Sequence, residues 1–234
     1  YIIVVQLNIP TPTRNVNAHG AMNPVILFED NHLLVADKPA GILTQSDRSG
    51  AENLLDLCRE HVRVKYGKKG NVFLGMVHRL DRPVAGVIVF ARTSKAASRL
   101  SEQFREGTVD KRYLAVTEGQ FDGEGDLFHH LVRRGSVTLA LDSPSAGSRE
   151  AGLRYRTVET NGRSSLLDIT LLTGRKHQIR AQLAALGHPV LGDRKYGSRT
   201  SLGPDRIALM CRSLTLQHPT RGEILSFAAE PPDW

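Results

Sequence analysis

The chain has 234 residues, 40% of them hydrophobic and 24% charged, which is near the globular average and excludes collagen-like or low-complexity disordered chains. Its 31 Lys and Arg outnumber 24 Asp and Glu, for a formal net charge of +7; that excess hints at a polyanionic partner, nucleic acid being the commonest, without requiring one. The longest apolar stretch, Val84 to Ala91, is too short to span a bilayer and suits a buried strand. Cys58 and Cys211 stand far apart and outside any metal-ligand spacing, so they read as reduced core residues of a cytoplasmic protein.

In chain order, Tyr1 to Leu7 is a short apolar run, and Pro10 to Asn23 is polar and aperiodic. No basic segment precedes the run and no cleavage site follows it, so residues 1–22 read as an extension, disordered or loosely attached and dispensable for chemistry, not as a signal peptide. Val25–Phe28 and His32–Ala36 read as strands joined by a turn, after which Lys38-Pro39-Ala40-Gly41 breaks the chain. Leu54, Leu57, Cys58 and Val62 recur at helical spacing, with a stop near Gly67. Met76–Leu80 and Val84–Phe90 read as buried strands. A second helix is capped by Thr93 or Ser94, carries Ala97, Leu100 and Phe104 on one stripe, and ends at Gly107.

The second half is rich in strands: Tyr113–Thr117, Leu127–Arg133, Ser136–Leu141, Leu153–Glu159, Ser165–Leu172 and Ile207–Gln217. One helix interrupts them, with Ile179, Leu183 and Leu186 on one face and Gly187 as its stop. Strands outnumber helices without alternating regularly. The fold class expected is therefore α+β: a central mixed, mainly antiparallel sheet with helices packed against it. Residues 23–234 are taken as one domain.

Common catalytic templates fail. The sequence has no GxxxxGK loop, no GxGxxG after a strand, no HExxH, CxxC or GxSxG, and its nine histidines, the pair His129-His130 included, are not spaced as zinc ligands. An enzyme of this sequence would work with ordinary side chains, without cofactor or metal. Two segments can carry chemistry. The first places His78, Arg79, Asp81 and Arg82 in a polar island between apolar runs. A carboxylate flanked by arginines stays ionised and can act as nucleophile, base or electrostatic stabiliser; a structural turn with an Asp–Arg pair is the alternative. The second runs from Leu172 to Leu183. Thr173-Gly174 is taken to open the helix, so that free N–H groups and the positive dipole end meet Arg175, Lys176 and His177 in a site suited to phosphate. Lys176, His177 and Arg180 then form a basic stripe, the alternative being a solvated helix face. Tyr113, at the head of an apolar strand, is either half-buried core or a ring on which a base stacks.

His78-Arg79-Leu80-Asp81 with Gly86, Thr173-Gly174-Arg175-Lys176-His177-Gln178-Ile179-Arg180 and Gly187-His188-Pro189-Val190-Leu191-Gly192-Asp193 together resemble the RluA-type family of RNA pseudouridine synthases. Leu33 to Gly41 and Lys111 to Ala115 resemble family segments in the same order, and the likeness runs from Asn23 to about Pro232. The resemblance implies a sheet-based fold with a catalytic cleft and isomerisation of uridine to pseudouridine in structured RNA, ribosomal or transfer, with no cofactor. It implies catalytic roles for Asp81 as the essential aspartate, Tyr113 as the ring stacking on the target base, and Arg180 as the partner of Asp81. RNA contacts fall to Arg79, His78, Arg82, Arg175, Lys176 and His177. Where the family commonly has Thr-Ser-Gly after the motif, this chain has Val84-Ala85-Gly86, losing two hydroxyls but not the glycine. A monomer in the cytoplasm, off the membrane, is expected. A silent RNA-binding protein and a base-excising glycosylase are the competing readings.

Overall fold

The computed structural model describes residues 2–4 and 22–234. Of the extension expected at 1–22, residues 1 and 5–21 lie outside the described residues, and Ile2–Val4 form a strand, β1. There follow β2 (Val25–Glu29), β3 (Leu33–Lys38), α1 (Leu54–Lys65), β4 (Gly75–Met76), β5 (Ala85–Ala91), α2 (Ser94–Glu106) and β6 (Asp110–Glu118). The chain continues with β7 (Glu124–Arg134), β8 (Val137–Leu141), β9 (Arg149–Thr160), β10 (Ser164–Leu171), α3 (Gln178–Ala185), β11 (Leu209–Gln217) and β12 (Ile224–Ala228). The described residues fall into two compact units. The first runs to Val109 and adds Cys211–Pro232; the second is Asp110–Met210 with Asp233–Trp234.

In the first unit the strand order is β2-β3-β5-β11, and β12 also pairs with β11. The β2–β3, β3–β5 and β11–β12 pairs are antiparallel, and β1 lies parallel to β12. β5 is buried at every residue but its first, as befits a strand covered on both faces. Leu54, Leu55, Cys58 and Val62 of α1 pack with Leu34, Ala36, Ile88 and Phe90 of the sheet in one apolar cluster. The helix begins where Asn53 accepts the Asp56 N–H at 3.1 Å, and α2 begins where Thr93 accepts the Ala96 N–H at 3.2 Å. α2 ends at Gly107 in the left-handed conformation, φ 73; each cap satisfies a backbone group the helix leaves open.

The expected strand Met76–Leu80 is reduced to Gly75–Met76, and the chain from Val77 to Val84 is irregular. The reason is local: side chains and loop backbone, described below, take the groups that a ladder would use.

The second unit is an antiparallel run in the order β6-β10-β9-β7-β8. β10 alternates buried and half-buried along its whole length, the signature of a sheet with one covered face. On that face Ala181 of α3 packs with Leu131 and Ala151. Each unit is thus a sheet with helix packed against it, antiparallel in these pairs but for β1–β12, which gives the mixed, mainly antiparallel sheet of the α+β class the sequence implies. Among the described residues no helix is long and apolar enough to cross a membrane.

Candidate functional site

Asp81, Arg79, His78 and Arg82 belong to the first unit, on the irregular loop between β4 and β5. Both flanks of Asp81 are pinned. The Thr44 hydroxyl donates to Leu80 O at 2.8 Å and accepts the Leu80 N–H at 3.3 Å. Gly41 N–H donates to Arg82 O at 2.9 Å, while Arg82 Nε returns a bond to Gly41 O at 3.0 Å. The Val84 N–H closes the turn onto Asp81 O at 3.0 Å. The loop therefore holds its carboxylate on a fixed backbone, the arrangement a reactive group needs.

Lys38, which the sequence showed in a chain break and a family-like segment but without a role, is the unexpected member. It has no exposed surface, and its ammonium donates to the carbonyls of Pro39 (3.0 Å), Ile42 (2.8 Å) and Arg82 (3.2 Å). Burial drives its pKa down to about 7, against the attraction of Asp81 and Asp37. Burial also raises Asp37 to about 6, opposed by Lys38; desolvation disfavours the charged form of either group.

His78, expected among the RNA contacts, has structural partners. Its Nε2 accepts the Val89 N–H at 3.0 Å and its ring stacks on Phe104 at 4.6 Å between centroids. Arg79 is exposed and makes no hydrogen bond or ion pair among the described residues.

Tyr113, Arg175, Lys176, His177 and Arg180 lie in the second unit. Tyr113 is on β6, buried to 9% exposure and paired with Ile169. The helix expected to open at Thr173-Gly174 opens at Gln178. The Gln178 side chain explains the delay. Its Oε1 accepts from the Thr173 hydroxyl (2.7 Å) and the Arg175 N–H (3.0 Å), and its Nε2 donates to Gly152 O (2.9 Å). The turn is thereby stitched to β9, and the Arg175 N–H is not among the free donors an anion would use. The expected basic stripe does not form either, because Arg180 is only 4% exposed whereas Arg175 and Lys176 are exposed.

Within its unit Arg180 meets Asp193, a residue whose motif the sequence displayed without a role. Nε lies 2.6 Å from Oδ2 and Nη2 2.9 Å from Oδ1, both side chains being buried. This bidentate geometry lets a buried ion pair offset its desolvation and fixes the guanidinium plane. Asp193 leads into a 3₁₀ turn, Arg194–Tyr196, whose Tyr196 ring lies under the guanidinium at 4.9 Å. Neither Asp193 nor Tyr196 carried a chemical signal of its own in the sequence.

Comparison with known proteins shows the family to which the chain belongs. The model of a family described as RNA pseudouridylate synthase matches residues 32–185. The chain is 34% identical to Ribosomal large subunit pseudouridine synthase D of Zymomonas mobilis subsp. mobilis, over 97% of this chain and 75% of the relative. It is 35% identical to Uncharacterized RNA pseudouridine synthase YhcT of Bacillus subtilis, over 88% of this chain and 68% of the relative. Among solved structures, Human RNA Pseudouridylate Synthase Domain Containing 4 shares the fold with a TM-score of 0.73 at 24% identity, over 89% of this chain and 88% of that one.

Proposed function

We propose, for a chain that belongs to the RNA pseudouridylate synthase family and so isomerises uridine to pseudouridine in RNA, that Asp81 is its catalytic carboxylate and large-subunit ribosomal RNA its substrate. The observation that carries the role of Asp81 is the pinned loop: Leu80 and Arg82 on either side are tied to Thr44, Gly41 and Lys38. A carboxylate presented this way keeps its position through a reaction in which the base must leave and return. The ribosomal assignment rests on the printed name of the Zymomonas mobilis relative.

A uridine in structured RNA is reached only after it is turned out of its stack, at a cost of a few kcal/mol. Stacking on an aromatic ring and cationic contacts to the flanking phosphates offset that cost. Tyr113 supplies the ring, and Arg79, Arg82, Arg175, Lys176 and His177 supply the contacts. Asp81 starts cleavage of the N-glycosidic bond, by attack on the sugar or by removing a sugar proton. The uracil turns and rejoins through C5, and the C5 proton passes to water. Arg180, oriented by Asp193, is the cation that answers the negative charge of the reaction.

The test is tritium release from RNA labelled at uridine C5, with Asp81→Asn beside the wild type. Loss of about a thousandfold or more in the variant is expected, as for the removal of an essential catalytic group. Equal release by both proteins overturns the assignment of Asp81, and free uracil in place of retained base favours a glycosylase. Release from transfer RNA but not from large-subunit ribosomal RNA overturns the substrate.

A further inference from the structure

Beside Arg180 stands Tyr196, half-buried on the 3₁₀ turn. Its hydroxyl accepts the Thr138 N–H at 2.9 Å and lies 2.8 Å from His177 Nδ1. Its ring faces the Arg180 guanidinium and meets the His177 ring edge-on, centroids 5.7 Å apart at 87°. One side chain thus touches both a residue proposed for catalysis and a residue proposed for RNA contact, by different parts of itself.

His177 is also one of two non-glycine residues with positive φ among the described residues, at 54°. That backbone costs on the order of 1 kcal/mol or more, and it persists where the surroundings over-determine it. The bond to Tyr196 is one such constraint, and the stitched Thr173–Gln178 turn before the helix is another. Burial raises the pKa of the Tyr196 hydroxyl, so at neutral pH it keeps its proton. With the oxygen already accepting from Thr138, that proton is available to His177 Nδ1. An imidazole that accepts this proton at Nδ1 carries its own on Nε2.

We propose that Tyr196 is a positioning residue with two separable parts: the ring orients Arg180 for catalysis, and the hydroxyl sets His177 as an Nε2–H donor for an acceptor oxygen of the RNA. The proposal rests on the synthase reading of Arg180 and His177. The hydroxyl acts on substrate binding, and the ring on the chemical step.

Tyr196→Phe removes the hydroxyl and keeps the ring. It should raise KM by about fivefold to tenfold, the range one hydrogen bond supplies, with a smaller fall in kcat. Tyr196→Leu removes both parts and should lower kcat by about a hundredfold, as expected when a catalytic group loses its orientation. In a His177→Ala background Tyr196→Phe should add no further change in KM, a non-additivity that a loss of folding would not produce. A direct readout needs no activity: the imidazole ¹⁵N shifts of His177 should show the Nε2–H tautomer in the wild type and a mixture in Tyr196→Phe. Unchanged shifts together with an unchanged KM overturn the role of the hydroxyl, and equal kcat for the Phe and Leu variants overturns the role of the ring. Failure of the wild type to release tritium would instead count against the synthase reading, leaving the tautomer result to stand or fall by itself.

Discussion

Lys38 sits at the end of β3 with its ammonium among three carbonyls and no exposed surface. Two consequences follow from the same burial. Replacing it with Met orphans acceptors at Pro39 and Ile42, which should cost about 1–3 kcal/mol. The cost also depends on pH. Between about pH 7 and the ordinary 10.5 the unfolded chain holds a proton on this lysine that the native chain has lost. Native stability therefore rises with pH through that window and declines as pH falls toward 7. Asp37 acts in the opposite sense: from 3.8 to about 6 the native chain holds the extra proton, and stability falls as pH rises. Urea unfolding should show the gap between wild type and Lys38→Met widest near about pH 10 and narrower near about pH 7. A constant gap would show that the buried lysine keeps its proton throughout.

At the scale of elements, β5 makes the closest approach. Gly86 has φ 110, and a Cβ placed there would lie 2.1 Å from the Cys211 carbonyl oxygen and 2.7 Å from its nitrogen. Gly107, at the end of α2, has φ 73 but nothing within 4 Å of a Cβ. Both Ala variants carry backbone strain of about 1 kcal/mol. Only Gly86→Ala adds the clash, so it should lose about 3 kcal/mol or more against about 1 for Gly107→Ala in urea unfolding. Equal losses would mean that β11 yields and the contact is not the reason for the glycine. The pair also shows what a sequence can convey. Thr93 and Gly107 announce α2 because caps act within a few residues. Gly86 was visible as part of a motif, but its reason was not, because Cys211 is distant in the chain. The same limit hid Lys38, whose burial is set by the loops around it. It also hid the late start of α3, where Gln178 bonds back to Gly152 instead of letting Thr173 open a helix. Asp81 stands out in the sequence as a candidate because polar residues between apolar runs are a local pattern. Asp193 and Tyr196 do not, since their importance is contact with Arg180.

For the whole molecule, the question is whether its charge of +7 binds RNA as a bulk field or through particular side chains. Two substitutions lower that charge equally. Arg79→Ala removes an exposed cation with no ion pair among the described residues, beside the proposed catalytic carboxylate. Arg59→Ala removes a cation on α1 that pairs with Asp56 at 2.8 Å. A bulk field would feel both alike, because it depends on net charge. Direct phosphate contact instead releases counterions one phosphate at a time, which sets the slope of log affinity against log salt. Arg79→Ala should therefore make that slope shallower by about 1, with weaker binding across all RNA sequences. Arg59→Ala should leave the slope as it is. A matched change in both variants would assign the affinity to the field, and the arginine beside Asp81 would lose its claim to a phosphate. With only Arg79 changed, net charge brings RNA to the protein and the loop that carries the aspartate grips it.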